Sequence, residues 1–318
     1  MKYAAIPIAI VIFFISIAGC KKSVPAAPTL PSNMETATMT AMYVTQWPAC
    51  VTNTGTSNYF PELLAIDGDG NVLEASEFYY IVEKYTNTGA FVSKWWNTGI
   101  ISGMAAGVNG DIYIANSSLR YINKHSSDGT LIAQWGGIGS GDGQFVYLQG
   151  IALDYSSNVY TIDPGNYKIK KFDDQGNFIT QWGSQGSGNG QLEYPTAIAA
   201  GGNSTSGYCV YVMDQLGYVQ KFSDTGVFEA KWGSYGTGDS QFCYPTALAV
   251  DSAGEIYVSD TGNNRIQKFT GDGVFICKWG SFGTGAGQFN NPSGLAIDSL
   301  GNVYVADRDN YRIQKFHP

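Results

Sequence analysis

The chain has 318 residues, 44% of them hydrophobic and 14% aromatic, with 40 glycines and a formal net charge of −8. That apolar share can bury a substantial core, and a glycine excess beside few charged residues points to strands and tight turns rather than long helices. So acidic a chain lacks the Lys and Arg that must neutralise phosphates, which excludes nucleic acid as a partner, and two histidines leave little for acid–base catalysis near neutral pH.

In chain order, Lys2 precedes an apolar run from Ala4 to Ala18, broken only by Pro7 and Ser16. A charged start followed by a short apolar run reads as a secretion signal rather than a membrane span. The run ends in Ile17-Ala18-Gly19-Cys20, followed by Lys21-Lys22-Ser23. This ending resembles the lipobox of bacterial lipoproteins, which implies cleavage after residue 19 and a diacylglycerol on Cys20. The expected organisation is a signal peptide (1–19), then the lipidated cysteine with a Pro/Ala/Ser/Thr-rich tether (20–41), then a folded body (42–318). The expected location is the bacterial cell envelope, membrane-anchored by the lipid and facing the periplasm or the exterior.

Self-similarity decides the body. FITQWGSQGSGNGQLEYPTAIAA from Phe178 repeats as FEAKWGSYGTGDSQFCYPTALAV from Phe228 and FICKWGSFGTGAGQFNNPSGLAI from Phe275. A second half repeats too, as NVYTIDPGNYKIKKF, EIYVSDTGNNRIQKF and NVYVADRDNYRIQKF from Asn158, Glu255 and Asn302. Each unit holds four short strand patterns, A to D, separated by Gly, Asn and Asp turns, which is the layout of a propeller blade. Six tryptophans end the D patterns (Trp47, Trp95, Trp135, Trp182, Trp232, Trp279) and six A patterns start at Glu62, Ser102, Gln149, Thr196, Thr246 and Ser293. The last unit stops after strand C, while Met42–Trp47 is a D pattern with nothing before it. The expected fold is therefore all-β: a six-bladed β-propeller of four-stranded antiparallel blades, closed by the N-terminal strand (about 42–47) completing the last blade.

The residues Ala296-Ile297-Asp298, Tyr304-Val305-Ala306-Asp307 and Asn310-Tyr311-Arg312 resemble the NHL repeat, and the likeness is strong in the third, fifth and sixth units. It weakens in the first two units, where Tyr80–Lys84 and Leu119–Tyr121 keep the strand but lose the motif. The resemblance implies an interaction module on a ring scaffold. Similarity to six-bladed calcium-dependent lactonases draws attention to Glu62, and to the strand-B aspartates Asp163, Asp214, Asp260 and Asp307, as the metal ligands of an alternative hydrolase or lyase. An Asp recurring blade after blade is expected instead to fix a turn through backbone amides.

Other chemistry is thin. His125 stands where other units have a C-strand Phe, and His317 is next to the C-terminus, so no nucleophile–base pair assembles. Cys50, Cys209, Cys243 and Cys277 occupy non-equivalent places without CxxC spacing and are expected to be free thiols. Gly186–Gly190 mimics a phosphate loop but joins strand to strand. What remains is the top face of the ring, where Arg120, Tyr167, Lys168, Tyr218, Arg265, Tyr311 and Arg312 are expected to meet a partner. The expected function is a monomeric binding scaffold with no cofactor, docking a protein, peptide or glycan; the alternative is the metal-dependent enzyme centred on Glu62.

Overall fold

The computed structural model describes residues 41–49, 60–76, 79–203 and 207–317. The signal-like segment, Cys20, the tether to residue 40 and Cys50 lie outside the described residues. The described strands form six separate four-stranded sheets, each antiparallel and, in five of them, ordered A-B-C-D along the chain. Blade 1 is built from Leu63–Ile66, Val72–Ser76, Ile81–Tyr85 and Phe91–Trp96; blade 2 from Ile101–Ala106, Ile112–Asn116, Tyr121–His125 and Leu131–Gly136. Blade 3 uses Gln149–Leu153, Val159–Asp163, Lys168–Phe172 and Phe178–Trp182, and blade 4 Pro195–Asn203, Gly207–Asp214, Tyr218–Ser223 and Phe228–Trp232. Blade 5 comprises Ala247–Val250, Ile256–Asp260, Arg265–Phe269 and Phe275–Trp279.

Blade 6 takes A, B and C from Pro292–Ile297, Val303–Asp307 and Arg312–His317, and its D strand is Met42–Pro48. The closing pair runs from Met42 opposite His317 to Pro48 opposite Arg312, as the sequence requires. Closure covers the outer edge of the last C strand, which an open array would leave unpaired.

The core is divided rather than central. Six apolar clusters each lie between two neighbouring blades, so every B strand is sandwiched on both faces and reads as a nearly continuous buried run. D strands at the circumference alternate and stay partly exposed. At the axis, small residues let A strands approach: a Cβ on Gly103 would come within 2.9 Å of Gly150 Cα.

Tryptophan locks one blade to the next at five of the six junctions. The C–D turn glycines Gly89, Gly129, Gly176, Gly226 and Gly273 all have φ between +85° and +91°, and a Cβ on any of them would meet an indole at 2.4–2.6 Å. The indoles are Trp47, Trp95, Trp135, Trp182 and Trp232, the D-strand residues of the preceding blades. Glycine is needed there twice over, for the left-handed backbone and for the space. Four of these rings, and Trp279, are met by the B-strand tyrosine of their own blade at 6.2–6.4 Å: Tyr304, Tyr113, Tyr160, Tyr211 and Tyr257.

Candidate functional site at the top-face mouth

Two kinds of connection reach the top face, the B–C turns and the D–A loops. The loops of blades 2 to 5 close on themselves. Gln144, Gln191, Gln241 and Gln288 each accept the backbone N–H of the glycine three residues earlier, at 2.9–3.3 Å. The Gly-rich stretch from Gly186 therefore turns its amides inward, and it joins strand to strand as expected. Phe145, Leu192, Phe242 and Phe289 plug these loops into the core, while Ile138, Gln185, Tyr235 and Phe282 pair with them from the surface.

The strand-B aspartates hold these loops down. Asp163 accepts the amides of Val146 and Tyr147 at 3.2 and 2.9 Å, and Asp214 those of Glu193 and Tyr194 at 3.3 and 2.9 Å. Asp260 accepts Cys243 N, and Asp307 accepts Asn290 N, both at 2.7 Å. The turn-fixing role read from the sequence holds with one difference. The backbone amides bound are mostly those of the D–A loop, while the B–C turn is tied mainly through the side chains of Asn166, Asn263 and Asn310. All four carboxylates are buried and multiply bonded, and no group of three or more His, Cys, Asp or Glu among the described residues is placed to hold a metal ion.

The basic residues expected to face a partner belong to the same scaffold. Arg265 donates to Asp260 at 2.6 Å and to the carbonyls of Gly238 and Gln241; it is 7% exposed. Arg312 does the same with Asp307 and the carbonyls of Thr284, Gly285 and Gln288; it is 8% exposed. Both are corrections to the expected binding surface: a guanidinium with five donors is desolvated at little cost when loop carbonyls and a carboxylate satisfy it. Lys168 donates to Gly183 O, and Arg120 to Val146 O and Ser118 O. In blade 3 the Arg position is Lys168, and it is Lys170, at the position of Gln267, whose ammonium reaches Asp163 and the carbonyls of Gly141 and Gln144, and whose burial lowers its pKa.

The expected tyrosines lie at the rim. Tyr167 and Tyr311 take the left-handed conformation that the B–C turn imposes, with φ of 56° and 54°. Tyr167 accepts a hydrogen bond from Gln185, Tyr218 lies under Lys231 Nζ at 4.2 Å, and Tyr311 stacks on Phe60 at 4.9 Å.

Inside this rim the A strands open into a cavity of about 450 Å³ that receives a residue from every blade. Its floor is a belt. Ser102 donates to Leu148 O, Gln149 to Thr196 O, Thr246 to Ser293 O and Ser293 to Pro61 O, each reaching the next blade or the chain leading into it. Glu62 departs from this pattern of neutral side chains, and its Oε1 accepts Arg308 Nε at 3.1 Å. Arg308 also donates to Asp309 and lies 4.6 Å over the Phe60 ring. Glu62 and Arg308 are the charged residues among those lining the cavity. Below, the channel narrows to about 90 Å³ between Met104, Ile151, Ile198, Leu248 and Leu295.

The NHL repeat family model matches residues 242–269 and 289–316, the loop-to-C-strand stretches of blades 5 and 6. Two of the six blades thus carry recognisable NHL repeats. No curated protein matches the chain in sequence. Among solved structures it is similar to a structural-genomics protein of unknown function from Bacteroides thetaiotaomicron, at 19% identity and a TM-score of 0.65, over 83% of this chain and 71% of that one. It is also similar to a streptogramin B lyase, at 15% identity and a TM-score of 0.58, over 86% of this chain and 97% of that one. A catalytically inactive variant of virginiamycin B lyase from Staphylococcus aureus, solved with quinupristin, matches at 16% identity and a TM-score of 0.56, over 81% and 80% of the two chains. At such identities the likeness is one of fold.

Three mouth residues of this propeller were not singled out from the sequence. Tyr147, Tyr194 and Tyr244 occupy equivalent places at the end of successive D–A loops and are 43%, 55% and 55% exposed. Tyr147 lines the cavity, and Tyr244 lines a side pocket of about 200 Å³ that shares Gln149, Thr196 and Thr246 with it. The available signal was the recurring Tyr-Pro-Thr at 194–196 and 244–246, which marks repeated scaffold as readily as a site. Arg308, beside the recognised Asp307, was passed over in favour of Arg312. His125 is buried in the C strand of blade 2 and Cys209, Cys243 and Cys277 are free and half-buried, as expected.

Proposed function

We propose that this chain is a non-catalytic binding module, which docks a protein, peptide or glycan partner on the top-face mouth of its ring. We place it at the bacterial cell envelope, held by a lipid on Cys20. The observation that carries the reading is the chemistry of the mouth. The described lining is largely hydroxyl and amide side chains knitted into a belt, with the Glu62–Arg308 ion pair among them and tyrosines around it. Tyr, Ser, Asn and Gly on anchored loops make a surface that gives contact area and hydrogen bonds at low ordering cost.

The lyase fold-likeness favours an alternative, a metal-dependent hydrolase or lyase at Glu62. It is weakened by where the candidate groups sit. The strand-B aspartates are bonded to loop amides, and Glu62 is bonded to Arg308. Both histidines end C strands, at the opposite end of the blades from the mouth. A hydrolytic or eliminating enzyme needs a positioned acid or base at the reacting atom.

Native mass spectrometry before and after chelation tests the reading, with streptogramin B and lactone turnover assayed alongside. The expected result is no divalent ion retained, no change in melting temperature on chelation and no turnover. A tightly held calcium or zinc ion, lost together with turnover in Glu62→Gln, would overturn it. Envelope anchoring is checked separately: Cys20→Ser should move the protein from the membrane to the soluble fraction.

A further inference from the structure

We infer that the mouth is a carbohydrate site, taking a neutral oligosaccharide whose sugar rings lie on Tyr147, Tyr194 and Tyr244. The inference rests on the binding-module reading and narrows it to one ligand class.

Charge narrows it first. Glu62 and Arg308 are bonded to each other at 3.1 Å, and the other described residues of the lining are neutral. An anion or a cation would therefore meet a charge that a partner already neutralises. Hydrogen-bonding capacity narrows it further. Ser102, Gln149, Thr196, Thr246, Thr261 and Asn291 line one cavity; each already donates to a protein oxygen, which leaves their hydroxyl and amide oxygens to accept. A ligand bearing many hydroxyls, each donor and acceptor at once, is their complement.

The tyrosines supply the remaining element. They recur at one loop position in three successive blades; Asp163 and Asp214 fix the amides of Tyr147 and Tyr194 from below, and Asp260 fixes that of Cys243, next to Tyr244. Tyr244 is held at φ 47°, a conformation costly for a bulky side chain, and its ring is nonetheless more than half exposed. An aromatic face is electron-rich, and the C–H face of a pyranose packs on it. Tyr147 and Tyr244 overhang pockets that share Gln149 and Thr196, so stacking and hydrogen bonding converge on one place.

A peptide fits less well. Strand addition needs a free sheet edge, and the belt ties the inner strands of neighbouring blades together. A cavity of about 450 Å³ falls within the range of about 300–1,000 Å³ usual for small-ligand sites.

The test presents the detergent-solubilised full chain to a broad array of neutral and acidic oligosaccharides, and titrates the best neutral one by calorimetry at low and high salt. A neutral glycan should bind with little salt dependence. Tyr147→Ala and Tyr244→Ala should each weaken it about ten-fold with the melting temperature unchanged. Tyr147→Phe, which keeps the ring, should retain most of the affinity. Binding to no neutral glycan, binding of acidic glycans or peptides alone, or alanine variants that bind as tightly as the parent would overturn the inference while leaving the binding module standing. Turnover of the bound glycan would instead overturn the module reading itself.

Discussion

Blade 6 and blade 1 adjoin each other in the ring and are built on different chemistry. In blade 6, Asp307 gathers Asn290 N, Asn310, Arg312 and Gln314, and the D–A loop is drawn down on this hub. The same positions in blade 1 hold Ser76, Ile81 and Glu83, with Glu83 directly opposite Glu74 across the strand pair. Both carboxylates are buried, and Tyr85 donates its hydroxyl to Glu83 at 2.5 Å. The two blades nevertheless share the same four-stranded order and the same antiparallel pairing. The recurring Asp, Asn and Arg therefore encode how the top loops are fastened, whereas the blade itself follows from apolar strands, turn glycines and the Trp lock. The lower face makes the same point. The A–B turn aspartates Asp67, Asp154, Asp251 and Asp298 accept the amides two and four residues on, in blade 1 as in blade 6.

The largest test of this contrast is to remove the hub. Asp260→Ala in blade 5 leaves Arg265 buried without its carboxylate, and should cost about 3–5 kcal/mol in urea denaturation. Ser76→Ala at the blade 1 position should cost about 1 kcal/mol or less. Equal losses would break the comparison. A second test sharpens it by probing the part that both kinds of blade share. Gly89→Ala in blade 1 and Gly273→Ala in blade 5 each put a methyl within 2.6 Å of an indole on a left-handed backbone. Each should lower stability by about 2–4 kcal/mol, and by similar amounts, because strain and overpacking add in both. A much smaller loss at Gly89 would mean that the lock, too, depends on the motif.

How much was legible follows from the same division. The six tryptophans, the six A patterns and the split last blade gave blade number and closure, because these rest on covalent spacing and on apolar periodicity. The aspartates were legible as scaffold because a residue repeated in four successive blades, each time before the same turn, points to a local job in each blade rather than to one ring-centred site. Arg265 and Arg312 were misplaced because sequence does not show that loop carbonyls 24–28 residues earlier curl over the guanidinium. Tyr147, Tyr194 and Tyr244 were missed for the opposite reason. They sit inside the repeated stretch, and their exposure depends on a loop backbone that aspartates pin from another strand. Periodicity carries no information about that.

The smallest test concerns blade 2, where His125 replaces the Phe of the stronger blades. Its Nδ1 lies 3.0 Å from Gly129 O, its Nε2 is buried without a hydrogen-bond partner, and burial lowers its pKa below the usual 6.5. The folded protein thus disfavours the imidazolium more than the unfolded chain does. The stability it contributes is present above pH 6.5 and is lost as pH falls from there towards the lowered folded-state pKa. His125→Phe should remove that part of the acid sensitivity, and at neutral pH should stabilise by about 1 kcal/mol through the loss of an unsatisfied nitrogen. Urea midpoints measured for parent and variant from pH 8 down to pH 5 give both quantities. Parallel curves would show that the histidine takes up its proton as readily in the fold as in the unfolded chain, and that blade 2 departs from its neighbours in solvation as well as in sequence.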